Sequence, residues 1–256
     1  MHTPQHRRVT MLDLARVIYT SGTVFDGLRT GRLDTENFLR SGDTSGVTSR
    51  ADLALLEDLR AAATYVVNHA GFPVDAGYVR AVNAAMTRSA ALHPGRLRTR
   101  DQAIGVQTRY GRHEPGELSN EALQAVIDQA RDAASGDDRA LHLFVSLAKA
   151  QPFEDGNKRT ALFAANGLLL SENSMQLLSV PFNEKDPTVA DRFNDLLARA
   201  YVYDDRLPVI DMLRSQGLVE LEPRSPKRIY ERFPELDPKH REPDEQSSES
   251  ETGFEF

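Results

Sequence analysis

The sequence predicts an all-α protein, a helical bundle with one short β-hairpin and a disordered acidic C-terminal tail. Three observations carry this. Apolar residues recur at helical spacing through most of the chain, one stretch alone alternates at the period of a strand, and residues 237–253 hold no large apolar side chain. The 256 residues and 40% hydrophobic content suffice for a sizeable core.

The elements follow in order. Met11, Leu12, Leu14, Ala15, Val17 and Ile18 mark a first short helix that Ser21-Gly22 would stop. A second spans Thr35 to Leu39 behind Asp34, before the Gly/Ser/Asp connection 41–46. Ala51 to Asn68 is a long amphipathic helix, and Asp75 caps another through Met86. Within 96–113, Ile104, Val106, Thr108 and Tyr110 alternate with Gly105, Gln107 and Arg109, which reads as the single β-like element. Helices then occupy Asn120 to Ala134, a stretch capped by Asp137 through Ala150, the very apolar Thr160 to Leu170, and roughly 187–201 and 205–216. The expected organisation is an N-terminal helical segment at 1–50 packed on the core, a main domain at 51–222 and a disordered acidic tail at 223–256.

Charge limits the partners. The formal net charge is −7, and all 31 basic residues precede Glu242, so the basic footprint of a DNA-binding protein is missing and no DNA is expected as partner. The early charges Arg7, Arg8, Asp13 and Arg16 interrupt any signal-like apolar core, and no stretch approaches the ~20 apolar residues of a membrane span, so no membrane partner is expected. Absence of cysteine excludes a disulfide framework and a Cys-ligated zinc, in keeping with a cytoplasmic location.

Between two apolar helices lies Gln151-Pro152-Phe153-Glu154-Asp155-Gly156-Asn157-Lys158-Arg159-Thr160. A polar, Gly-containing loop opening into a helix presents backbone N–H groups and the positive end of the helix dipole, a ready anion site. Arg159 in the first turn is badly placed against that dipole unless an anion sits there. Asp155 is a hard oxygen ligand, and one carboxylate plus substrate phosphates is a usual way to hold Mg²⁺, so the pair suggests a Mg-nucleotide. An ordinary turn between two helices, with Gly156 in a special backbone conformation, satisfies the same spacing.

Residues 151–162 closely resemble the signature loop of the Fic/Doc (Fido) superfamily, His-Pro-Phe-x-(Asp/Glu)-Gly-Asn-Gly-Arg, which ends Asn-Lys-Arg in the Doc branch. The resemblance implies a Fido-type helical bundle whose members transfer AMP or phosphate from a nucleoside triphosphate to a protein hydroxyl. It implies Asp155 as the Mg²⁺ ligand, Gly156, Asn157 and Lys158 as the phosphate nest, Arg159 as a phosphate clamp and Phe153 as a buried anchor. ATP or another NTP would be the donor. Residues 96–113 would be a flap that docks the protein substrate, and an antitoxin or regulatory protein is a further partner the resemblance suggests.

Departures from the pattern shape the functional expectation. Gln151 stands where the family has its general-base His; an amide can orient a hydroxyl but has no accessible basic pKa. His142 lies more than two helical turns away and reads as a packed helix residue. Lys158, as in the Doc branch, points toward transfer of the terminal phosphate. Leu162 replaces the second Arg of the longer motif, and Asp26-Gly27 is one residue out of register with the inhibitory helix that pairs with it. Asp26 therefore reads as a turn residue and no self-inhibition is expected. Two functions stand side by side: a Fido-type phospho- or nucleotidyltransferase with altered or lost activity, and a non-catalytic nucleotide-binding regulator or partner-binding module. A transferase using another pyrophosphate-bearing donor is a third.

Overall fold

The computed structural model describes residues 9–89, 92–102 and 105–221, which lie within one compact unit, Met1–Leu221. Ile104 and the tail expected at 223–256 fall outside these residues. The described chain is an all-α bundle with two small two-stranded sheets. A 3₁₀ turn, Met11–Leu14, leads into α1 (Ala15–Asp26), followed by α2 (Arg32–Ser41), α3 (Arg50–Asn68), α4 (Ala76–Ala84), α5 (Asn120–Asp132), α6 (Asp138–Ala150), α7 (Asn157–Ser171), α8 (Thr188–Tyr203) and α9 (Leu207–Met212). Strands β1 (Val106–Thr108) and β2 (Gly111–His113) form the hairpin; β3 (Gln176–Leu178) pairs antiparallel with β4 (Leu218–Glu220).

Helix α7 is the centre, since every residue from Arg159 to Leu170 is buried, and a helix apolar on all faces requires neighbours on all faces. Helices α1, α3, α4 and α6 supply them. At Gly167 a Cβ would lie 2.7 Å from Cζ of Tyr78, so glycine is what lets α4 approach this closely. No helix among the described residues is long and apolar enough to cross a membrane.

Three expectations need correction. Ser21-Gly22 does not end α1, which continues to Asp26 and stops at Gly27 with φ 70°. The Ser21 hydroxyl donates to Ile18 O at 3.1 Å, so its polarity is satisfied inside the helix, and Gly22 serves close packing against Leu28 and Leu59. Asp137 makes no side-chain cap; it is itself in the right-handed helical region, after Gly136 at φ 56°. The hairpin is not the single β element: β3 and β4 form a second, whose three-residue strands are too short for alternation to show. Asn166, fully buried in α7, holds β3 in place by accepting from Leu178 N at 2.9 Å and donating to Leu178 O at 2.8 Å. Asp75, by contrast, caps α4 as read, accepting from Tyr78 N at 2.7 Å.

The turn between α1 and α2 is fastened by one buried carboxylate. Asp52 of α3 accepts from Thr30 N at 2.7 Å, Arg29 N at 3.0 Å, and the hydroxyls of Thr30, Thr48 and Ser49. Burial alone would raise its pKa, but the hydrogen bonds from Thr48, Thr30 and Arg29 outweigh that and lower it. A depressed folded pKa means that the stability it contributes is fully present above the unfolded value of about 3.9 and is lost as pH falls through the folded value. Urea unfolding of wild type and Asp52→Ala should therefore differ most at neutral pH and converge in strong acid. A gap that stays constant with pH would remove the carboxylate from this role.

Candidate functional site

The loop between α6 and α7 is shaped by its own residues and by Asn83, Leu97 and Arg98. Gln151 closes α6 in the left-handed region, φ 45° and ψ 60°, its N–H donating to Leu147 O at 3.1 Å. Arg98 secures that turn: its N–H donates to Pro152 O at 2.9 Å, Nε donates to Gln151 O at 2.7 Å, and Nη2 reaches Pro115 O at 2.7 Å and Gly116 O. Leu97 bridges to Phe153, whose ring is fully buried, as expected of the loop's anchor. Asn157 then clasps the turn from inside, Oδ1 accepting from Phe153 N at 2.8 Å and Nδ2 donating to Phe153 O at 2.9 Å. Asn83 completes the frame, donating to Asp155 O and Thr160 Oγ1, each at 3.0 Å, and accepting from Gly95 N at 2.7 Å. Gly156 sits at φ 74°, a conformation that favours glycine.

Helix α7 begins at Asn157, with the first helical bond from Thr160 N to Gly156 O at 2.8 Å. The N–H groups of Asn157, Lys158 and Arg159 thus have no carbonyl ahead of them, which is the anion-binding end of a helix. Asp155 is over half exposed, and its Oδ1 accepts from Gly156 N at 2.6 Å. Lys158 Nζ lies 4.7 Å above the Phe25 ring, and burial lowers its pKa although Asp26 acts the other way.

The largest difference from the sequence reading concerns Arg159 and Asp26. Arg159 is 3% exposed; its Nη1 donates to Ser89 Oγ at 3.0 Å, its Nε lies 3.5 Å from Asp26 Oδ2 and its Nη2 3.7 Å from Asp155 Oδ1. Ser89 is in turn held by Asp58, which accepts from its N–H at 2.6 Å and its hydroxyl at 2.7 Å. Asp26 is more than a turn residue: at the end of α1 it faces the motif cations, and burial raises its pKa.

A cavity of about 530 Å³ opens over the loop, a size typical of small-molecule sites. Its floor is Gln151, Glu154, Asp155, Asn157 and Lys158. One wall is the hairpin stretch 106–109 and the other is α8, through Asp191, Asn194, Asp195, Leu197, Ala198 and Tyr201. The expected residues Gln151, Asp155, Asn157 and Lys158 are thus brought together, whereas Gly156 and Arg159 lie behind the lining. Among the described residues the Gln151 side-chain amide makes no hydrogen bond and no histidine lines the cavity. His142 stays on α6, where burial lowers its pKa. Sequence reading missed Arg98, Asn83, Ser89 and the α8 wall, which carry no motif of their own.

The model of the Fic/DOC family matches residues 73–169, which run from the approach to α4 to the end of α7. The fold resembles a Fic-domain-containing signalling protein from Bacteroides thetaiotaomicron, 18% identical, with TM-score 0.62 over 79% of this chain and 81% of that one. It also resembles Fic-1 from C. elegans, 18% identical, with TM-score 0.61 over 84% of this chain and 63% of that one, so the chain spans less than two thirds of the nematode fragment. No curated protein sequence matches the chain. Residues 73–169 thus form a Fic/Doc (Fido) domain, with the signature loop at the floor of the cavity.

Proposed function

We propose that the cavity binds a Mg-nucleotide, phosphates against the start of α7, and that the protein is a Fido-type transferase moving a phosphoryl or nucleotidyl group to a protein hydroxyl. The observation that carries this is the convergence of Asp155, Lys158 and the open N–H groups of 157 and 158 on one ligand-sized cavity. The residues fit magnesium only together with phosphates. Among the described residues no group of three or more His, Cys, Asp or Glu side chains could hold a metal by itself, while Asp155 offers an accessible carboxylate. Asp155 would hold the ion, which when bound would neutralise charge on the phosphates.

In this reading the α7 N–H groups and Lys158 balance the negative charge of the transferred group, and Gln151 orients the acceptor hydroxyl through its side-chain carbonyl. Such transfers draw mainly on positioning and charge stabilisation, which is how the site would work without a histidine. The hairpin 106–113 would guide the target. Lys158 instead of glycine favours terminal phosphate as the group moved. A non-catalytic nucleotide-binding regulator is the second reading, favoured by the amide at 151 where the family carries its histidine.

Calorimetry with Mg²⁺ and ATP, GTP, CTP or UTP should show binding of at least one nucleotide. Lys158→Ala should weaken it by roughly tenfold or more, the value of one charge-assisted hydrogen bond. Mg²⁺ without nucleotide should bind negligibly. Failure of all four nucleotides at millimolar concentration ends the proposal. Adding α- or γ-labelled nucleotide to a lysate then separates nucleotidyl transfer, phosphoryl transfer and mere binding.

A further inference from the structure

Among the described residues the cationic side chains lining the cavity are Lys158 and Arg109, and Arg109 belongs to no motif. It sits at the tip of the hairpin, 68% exposed, where its Nη2 contacts Asp195 Oδ1 of α8 and donates to Tyr110 Oη at 2.8 Å. Tyr110 Oη in turn donates to the other oxygen, Asp195 Oδ2, at 2.9 Å, and its ring packs edge-on against Tyr203 at 5.6 Å. The base of the hairpin is fixed separately: His113 Nε2 bonds to Lys149 O at 2.7 Å and its ring lies on Tyr201 at 5.2 Å. The hairpin is thus fastened at its root, and its tip rests on α8 through the one carboxylate of Asp195 and the Tyr203 ring.

We infer that Arg109 is a polyphosphate-binding residue, parked on Asp195 and transferred to the outer phosphates of the nucleotide when one enters the cavity. This rests on the nucleotide reading of the site. Three features support the exchange. A largely exposed arginine such as Arg109 is held weakly by a carboxylate partner, and a phosphate offers the same two-pronged geometry with more charge. After the exchange Asp195 keeps the hydrogen bond that Tyr110 Oη donates to its Oδ2. Arg159, the cation expected to clamp phosphate, is occupied by Asp26, Asp155 and Ser89 behind the lining, so among the described residues Arg109 is the guanidinium that lines the cavity.

Titration of the full chain with Mg-ATP and with AMP, by calorimetry, tests this. Arg109→Ala should weaken Mg-ATP by about tenfold, the value of one hydrogen bond between charged groups, with a smaller loss for AMP. Asp195→Asn should act in the opposite direction, tightening Mg-ATP about two- to fivefold, because it removes the competing carboxylate yet leaves Tyr110 an acceptor. Arg109→Lys should recover part of the loss. If Asp195→Asn weakens binding as much as Arg109→Ala does, the contact is a structural lock and the inference fails. It also fails if Arg109→Ala leaves the affinity unchanged, or costs AMP as much as ATP. Lys158→Ala tests the parent reading independently: retained sensitivity there with none at Arg109 overturns this inference alone, whereas absence of nucleotide binding in wild type overturns both. Melting curves within a few degrees of wild type show that the variants remain folded.

Discussion

Gln151→His should raise transfer to a protein hydroxyl by up to ~10²–10⁴, the contribution of a positioned general base. The backbone does not oppose the change: residue 151 lies at φ 45°, and histidine is among the residues that adopt this region more readily than most. Among the described residues the Gln151 side chain makes no hydrogen bond, so an imidazole there would not break one. Rate measurement with labelled nucleotide and an acceptor protein checks it. An increase marks a silenced enzyme, and a decrease from an active wild type makes the amide a working part of an altered mechanism. If neither form transfers while both bind nucleotide, the regulator reading stands.

Asp58→Ala should lower the melting temperature by roughly 10 °C or more. Asp58 is 1% exposed and takes the N–H groups of Thr87 and Arg88 at 2.8 Å, Ser89 N at 2.6 Å and the Ser89 hydroxyl at 2.7 Å. Alanine would strand those donors, at about 1–3 kcal/mol for each that stays buried. In a domain of this size each kcal/mol moves the midpoint by roughly 2–4 °C. Ser89 would also lose the position from which it accepts from Arg159, so nucleotide affinity should fall with stability. Calorimetric scans and a binding titration read both effects. A shift under 2 °C would show that the turn at 87–89 finds other acceptors.

The helices were legible because their apolar periodicity is long enough to average over exceptions. The loop was legible because its glycine, amide, carboxylate and cations lie within ten consecutive residues. What escaped depends on separation. Strands β3 and β4 are three residues each and some forty residues apart. Arg98 is one arginine among Arg96, Arg98 and Arg100, and spacing does not reveal that only Arg98 is the buried one. Asp26 could not be matched to Arg159 because the pairing depends on the angle at which α1 meets α7, and the α8 carboxylates became cavity residues only through packing beside the hairpin.

The clasp of Asn157 on Phe153 and the grip of Arg98 on the Gln151 carbonyl both act on the backbone, and neither involves the side chain at position 151. The hydrogen bonds that hold the loop therefore do not depend on that side chain. A lineage could exchange the reactive group at this point by a single substitution, gaining or forfeiting chemistry, while the backbone clasps that shape the loop stay in place.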